Sequence, residues 1–110
     1  MDNGLLNTAG LTERSFRELQ GLLSRYPDIE EVVLFGSRAK GTFHSGSDVD
    51  LAIMNTGLHP ETIPQLLDAI SESSIPYQVD VVDFHSLRNP DLLDHILRVG
   101  LPFFRASETQ

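Results

Sequence analysis

Cysteine is absent from this 110-residue chain. Disulfide frameworks and thiolate metal centres are therefore excluded. Basic residues are scarce, with 8 Lys and Arg against 16 Asp and Glu and a net charge of −8. A protein that grips nucleic acid by its phosphates carries a basic surface. Stand-alone nucleic-acid binding is not expected here, although a local basic patch or a basic partner stays open. The plain reading of the acidic excess is solubility. Long apolar runs are missing too. None approaches the roughly 18 residues that a membrane span needs, so no membrane association is expected. The opening "MDNGLLNTAG" has no basic start and no apolar stretch of signal length. A cytoplasmic setting is expected. Hydrophobic residues make up 40% and charged residues 22%, a balance that folds rather than staying disordered. The length suits one small domain with one core.

Residues 1–10 read as a flexible N-terminal arm, 11–105 as the folded domain and 106–110 as a polar tail. Thr12 can cap a helix that carries Phe16, Leu19, Leu22 and Leu23 and ends at Tyr26-Pro27. "EVVLFG" (31–36) reads as a strand, and 37–47 as a turn and loop. "DVDLAIM" (48–54) alternates, with Val49, Leu51 and Ile53 on one face and Asp48, Asp50 and Ala52 on the other. Ile63, Leu66, Leu67 and Ile70 mark a second helix. "PYQVDVVDF" (76–84) is a third strand. Asn89-Pro90-Asp91 starts a helix: a cap, a proline in the first turn and an acid beside it. Leu92, Leu93, Ile96 and Leu97 give its stripe, and Gly100 stops it. "LPFF" adds a short last strand. The order α-β-β-α-β-α-(β) predicts an α/β (α+β) single domain, a mixed β-sheet with helices packed on it. The last helix's leucines read mainly as core; some, with Leu101, Phe103 and Phe104, offer an alternative partner surface.

The chemistry concentrates in "FGSRAKGTFHSGSDVDLAI" (35–53). Asp48 and Asp50 lie at i and i+2 of a strand, so their side chains point the same way with Cα atoms about 6.5–7 Å apart. Two carboxylates this close repel unless a cation lies between them. A pair of divalent ions about 3.5–4 Å apart satisfies them and suits phosphoryl or nucleotidyl transfer. Magnesium is the natural ion, since it takes oxygen ligands and keeps waters and substrate phosphates in its shell. Asp80, in mid-strand, completes a three-carboxylate cluster if its strand lies beside the second. It would hold one metal and take the proton of an attacking hydroxyl. Asp83 has the opposite parity and reads as a strand-end acid. Gly36 allows close backbone approach, and Ser37 begins a short helix (37–40) whose free N–H groups face a triphosphate. Arg38 and Lys40 can neutralise phosphate, although residues of this kind are more often plain surface charges. Ser47 either contacts phosphate or caps the loop. The loop lacks the GK[ST] ending of a P-loop. His44, His59, His85 and His95 show no metal-ligand spacing.

These residues resemble the nucleotidyltransferase signature of the DNA polymerase β superfamily: an apolar residue, Gly-Ser, about ten residues, then Asp-apolar-Asp-apolar. "VDVVD" (79–83) resembles the strand that supplies the third acid. The short chain is similar to the minimal nucleotidyltransferases, the MntA-like group of bacteria and archaea. The resemblance implies transfer of a nucleoside monophosphate from an NTP to a hydroxyl, with release of pyrophosphate. Asp48 and Asp50 would bind both Mg2+ ions (Mn2+ being an alternative), Asp80 would bind one and act as base, and Gly36 and Ser37 would hold the β- and γ-phosphates of ATP. The resemblance also implies a helical HEPN-type toxin partner, with this chain as antitoxin through AMP transfer or through binding.

Two functions of different class follow. One is a magnesium-dependent nucleotidyltransferase acting on a protein partner. The other is a catalytically weak or inactive binding module that acts on the same partner by complex formation. The three acids and the intact Gly-Ser turn favour retained chemistry. The chain is too short for a second domain that would hold the acceptor, so a partner subunit or a homodimer is expected to complete the site.

Overall fold

A computed structural model describes residues 9–44 and 46–106. Helix α1 spans Glu13–Leu23, strand β1 Glu31–Phe35, the single turn α2 Ser37–Lys40, β2 Val49–Ile53, α3 Thr62–Ser71, β3 Val79–Asp83, α4 Pro90–Val99 and β4 Leu101–Arg105. A 3₁₀ turn, Phe84–Ser86, follows β3. The four strands form one sheet in the order β3-β2-β1-β4. β1 pairs antiparallel with both β2 and β4, whereas β2 and β3 are parallel. A parallel pair needs a crossover too long for a hairpin, and α3 supplies it. The expected mixed sheet and element order are both present.

The two faces of the sheet bury different things. Val32, Leu34, Val49, Leu51, Ile53, Val79 and Val81 pack with Leu19, Leu22 and Leu23 of α1 and Leu66 and Ile70 of α3 into the main core. The opposite face is smaller: Phe35 and Ala52 pack against Ile96 of α4, with Val33, Val82 and Leu92 alongside. One short helix cannot cover that whole face. The acids of β2 and β3 lie at its uncovered end.

Several boundaries differ from the expected ones, among them β2, which runs from Val49 to Ile53 and leaves Asp48 and Met54 just outside the paired strand. α1 ends at Leu23 rather than at Tyr26, because the N–H groups of Arg25 and Tyr26 take the Leu22 and Leu23 carbonyls in i to i+3 turns. β3 begins at Val79, where pairing with Val49 starts, and not at Pro76. Phe103 and Phe104 are buried, which corrects their reading as part of a partner surface: β4 pairs with β1 and turns both rings into the core. Leu97 of α4 is the exposed large hydrophobic among the described residues. Of the expected arm, residues 1–8 lie outside the described residues, and Ala9 is fully buried. Of the expected tail, Ala106 donates its N–H to the Glu30 carbonyl, and 107–110 lie outside.

Asp28 carries a role the sequence did not signal. Its carboxylate accepts from the His59 amide and the Thr62 hydroxyl, tying the loop before α3 and the first residue of that helix to a segment more than 30 residues away. Burial alone pulls this carboxyl up, but those hydrogen bonds outweigh it and hold the group below its ordinary value. A lowered acid stabilises the fold above the unfolded-state value, and that contribution fades as pH falls through the folded value. Asp28→Ala should cost about 1 kcal/mol, as loss of an intramolecular hydrogen-bond pair of this kind does. Its deficit relative to wild type should shrink in acid. Urea melts at pH 7 and pH 3 check both.

Candidate active site

β1 ends at Phe35, and the chain turns sharply through Gly36 into α2. Gly36 has φ +79° and ψ −158°, a conformation essentially closed to residues with a Cβ. A Cβ there would also overlap the Oδ2 atom of Asp50. The Asp50 carboxylate therefore lies against the bare backbone of the turn. This contact follows from register, since Phe35 pairs with Asp50 across β1 and β2.

On its other side Asp50 pairs with Asp80 across β2 and β3. In-register neighbours on a sheet share a face, at a strand spacing of about 4.8 Å. Asp48 stands just before β2, two residues from Asp50 and near enough for its charge to act on that carboxyl. Asp50 is half-buried, whereas Asp48 and Asp80 are exposed. Burial, then the charge of Asp80, then that of Asp48, push the Asp50 carboxyl above its ordinary value. The structure thus brings together the three acids singled out in the sequence, and they repel.

Three carboxylates without imidazole or thiolate form the donor set of a hard cation such as magnesium. Among the described residues no three His, Cys, Asp or Glu side chains close into a preformed metal cage. The exposed positions of Asp48 and Asp80 leave the cluster open towards solvent. That openness fits an ion completed by water and substrate phosphate rather than by protein alone. The repulsion raising Asp50 is what a cation between the carboxylates would relieve.

The other expected contacts sort differently. Ser37 follows Gly36 and is half-buried, and Lys40 is exposed; both flank the turn. Arg38 does not face solvent phosphate: it is 1% exposed, with its guanidinium bonded to the Ala9 and Ser47 carbonyls. The reason is steric enclosure, since the helical turn directs residue 38 inward under Phe43 and Tyr77. Ser47 is a loop cap: its hydroxyl accepts from the His44 amide and its carbonyl from Arg38. Asp83 caps the 3₁₀ turn by accepting from the His85 amide and the Ser86 hydroxyl, as suits a strand-end acid. His95 was given no role from sequence. Its Nε2 accepts the Gly36 N–H at 3.1 Å and its ring packs edge-on against Phe35. No spacing rule signals it, because the contact joins residues 59 positions apart. A groove of about 440 Å³ between α3 and β3, lined by Leu67, Ile70, Tyr77 and Gln78, runs up to Asp80. A similar cleft at the β4 edge, by Phe16 and Phe103, lies on the far side of the sheet from β3.

A Gly-Ser turn at the end of one strand, with one acid on the adjacent strand, another directly before that strand and a third on the next, defines a nucleotidyltransferase fold. The family model for polymerase beta nucleotidyltransferases matches residues 17–109, and the chain belongs to that family. A toxin–antitoxin complex crystallised with AMP-PNP has a chain 26% identical to this one, with a TM-score of 0.63 over 84% of this chain and 73% of that one. A mutant of the MntA-HpeT toxin–antitoxin complex has a chain 28% identical, with a TM-score of 0.61 over 84% of this chain and 71% of that one. A nucleotidyltransferase-like protein of Sulfolobus solfataricus, 18% identical, shares the fold at a TM-score of 0.57 over 98% of this chain and 93% of its own. Comparison with curated protein sequences found no match.

Proposed function

We propose that this chain is a magnesium-dependent nucleotidyltransferase that moves AMP from ATP to a hydroxyl of a helical HEPN-type toxin, and so acts as its antitoxin. The observation that carries the reading is the register of Asp50 with Asp80, with Asp48 two residues away and the Gly36 turn against the Asp50 carboxylate. The likeness to chains of toxin–antitoxin complexes, one of them crystallised with AMP-PNP, supports the partner class and the nucleotide.

In this reading Asp48 and Asp50 hold two magnesium ions, and Asp80 holds one of them. Bound magnesium supplies charge neutralisation at the phosphates and lowers the pKa of the acceptor hydroxyl. Gly36 and Ser37 hold the β- and γ-phosphates, and Lys40 adds charge beside them. Because the Gly36 amide is engaged by His95, phosphate reaches that amide by displacing the imidazole. The acceptor oxygen bonds to the α-phosphorus as the bond from that phosphorus to the bridging oxygen breaks. Pyrophosphate leaves with the electron pair, and the hydroxyl proton passes to Asp80.

A direct test incubates the chain with α-labelled ATP, magnesium and a purified HEPN-type toxin from the same genome. Label should appear on that partner with wild type and fall to background with Asp50→Asn. Equal labelling by both proteins, or none by either, would overturn the proposal. Neutralisation by binding alone makes a different prediction. If the Asp48→Asn/Asp50→Asn double variant still protects cells from the toxin, binding is sufficient.

A further inference from the structure

We propose that Arg38 is a positioning residue for the carboxylate cluster, a buried clamp that fixes the loop delivering Asp48. The inference rests on the reading of Asp48 as a metal ligand given above, and adds a residue that holds it there.

Arg38 is the largest fully buried side chain among the described residues. Among the described residues no carboxylate pairs with it: the ion pairs there are Arg17–Glu13, Arg98–Asp94 and Arg105–Glu31. A buried cation with no acid is costly unless dipoles and aromatic faces replace its water. Here they do. Nε and Nη2 both donate to the Ser47 carbonyl, at 3.1 and 2.9 Å. Nη1 donates to the Ala9 carbonyl. The guanidinium carbon lies 5.1 Å from the centre of the Phe43 ring and 4.9 Å from that of Tyr77. Gly10 closes the cage: with φ +71°, it packs so tightly that a Cβ would overlap the Phe43 ring.

These contacts join the segments that carry the site. Arg38 is two residues from Gly36. Its two bonds to Ser47 hold the peptide directly before Asp48. Tyr77 is three residues before Asp80. A planar fork whose two N–H groups converge on one carbonyl oxygen fixes an orientation as well as a distance, which a lysine cannot reproduce. The charge itself is not spent on the carboxylates, because the guanidinium donors are directed at the Ser47 and Ala9 carbonyls. Its role is therefore geometric.

The test compares wild type, Arg38→Lys, Arg38→Met and, as a matched destabilised control, Asp28→Ala. The first readout is hydrogen exchange over residues 42–49 in the metal-free chain. There the Ser47 amide bonds to the His44 carbonyl, and the His44 amide to the Ser47 hydroxyl. Exchange should speed up about tenfold in both Arg38 variants and stay within about twofold of wild type in Asp28→Ala. The second readout is Mn2+ titration, where the Arg38 variants should bind about tenfold more weakly, the loss typical when the support of a metal ligand is removed. Unchanged exchange over 42–49 in both Arg38 variants overturns the proposal, and so does wild-type Mn2+ affinity in either. If wild type binds no Mn2+ at all, the metal reading fails, while the exchange readout still decides whether Arg38 holds the loop. Should Arg38→Met not fold, Phe43→Leu removes one aromatic wall while keeping the cation. It should speed exchange about two- to threefold over the same residues, and no change there counts against the clamp.

Discussion

Asp50→Asn should make the metal-free protein more stable while removing its chemistry. The carboxyl of Asp50 is half-buried and flanked by Asp80 and Asp48, and it sits above its ordinary value for those reasons. A folded-state value raised above the unfolded one means that the folded chain holds the proton more tightly. The associated stability is fully present below the unfolded value and is lost as pH rises through the folded value. At pH 7 the wild type therefore carries the strain of three adjacent charges. An amide of the same shape relieves it, and the variant should melt about 2–4 °C higher, a shift below 1 kcal/mol for a domain of this size. The gap between variant and wild type should close in acid. Magnesium or manganese should reverse the ranking at neutral pH, because an ion that binds only the folded state stabilises it in proportion to its occupancy. Wild type should gain melting temperature with metal and ATP, whereas the variant should gain little. Transfer activity should fall about a thousandfold, corresponding to about 4 kcal/mol of transition-state stabilisation. Calorimetry with and without metal, at pH 7 and pH 4, checks the set. A variant less stable than wild type without metal would contradict the repulsion.

Gly36→Ala should cause a large loss of stability. The residue occupies a backbone region that excludes side chains, and the added Cβ would meet the Asp50 carboxylate. Backbone strain of this kind costs about 1–3 kcal/mol. With the steric conflict, a loss of about 2–3 kcal/mol is expected, or a fall of about 10–15 °C in Tm. The two contributions separate in a double-mutant cycle. Asp50→Ala removes the colliding carboxylate, so Gly36→Ala should cost less in that background by about 1 kcal/mol. What remains is the strain of the turn itself. Equal costs in both backgrounds would show that Asp50 does not lie against Gly36 in solution. The experiment thus probes the geometry of the site without relying on turnover.

Much of the site was legible because it follows from periodicities of the backbone. The i, i+2 spacing of Asp48 and Asp50 sets their common face wherever a strand forms. The parity of Asp80 against Asp83 separates an acid on the cluster face from one that caps a turn, and both lie as their parity required. Gly36 was legible as a close approach, although its partner, Asp50, was not. The helix stripes and the Asn89-Pro90 start place α3 and α4 within a residue or two.

Other features depended on distances that no local pattern encodes. Asp28 reaches α3 across a loop, and His95 reaches Gly36 from the last helix. Arg38 looked like a surface cation beside a phosphate loop, since lysine and arginine rarely enter a core. It became a buried clamp only because Phe43, Tyr77 and two carbonyls from separate segments enclose it. The sequence by itself determined the strands, the helices and the face on which each acid stands, because those follow from bond geometry repeated along one segment. The tertiary structure alone decided that β2 lies between β1 and β3, which sets Asp50 between Gly36 and Asp80. It also decided that the guanidinium of Arg38 turns inward, since burial of a charge is settled by groups that only folding brings together.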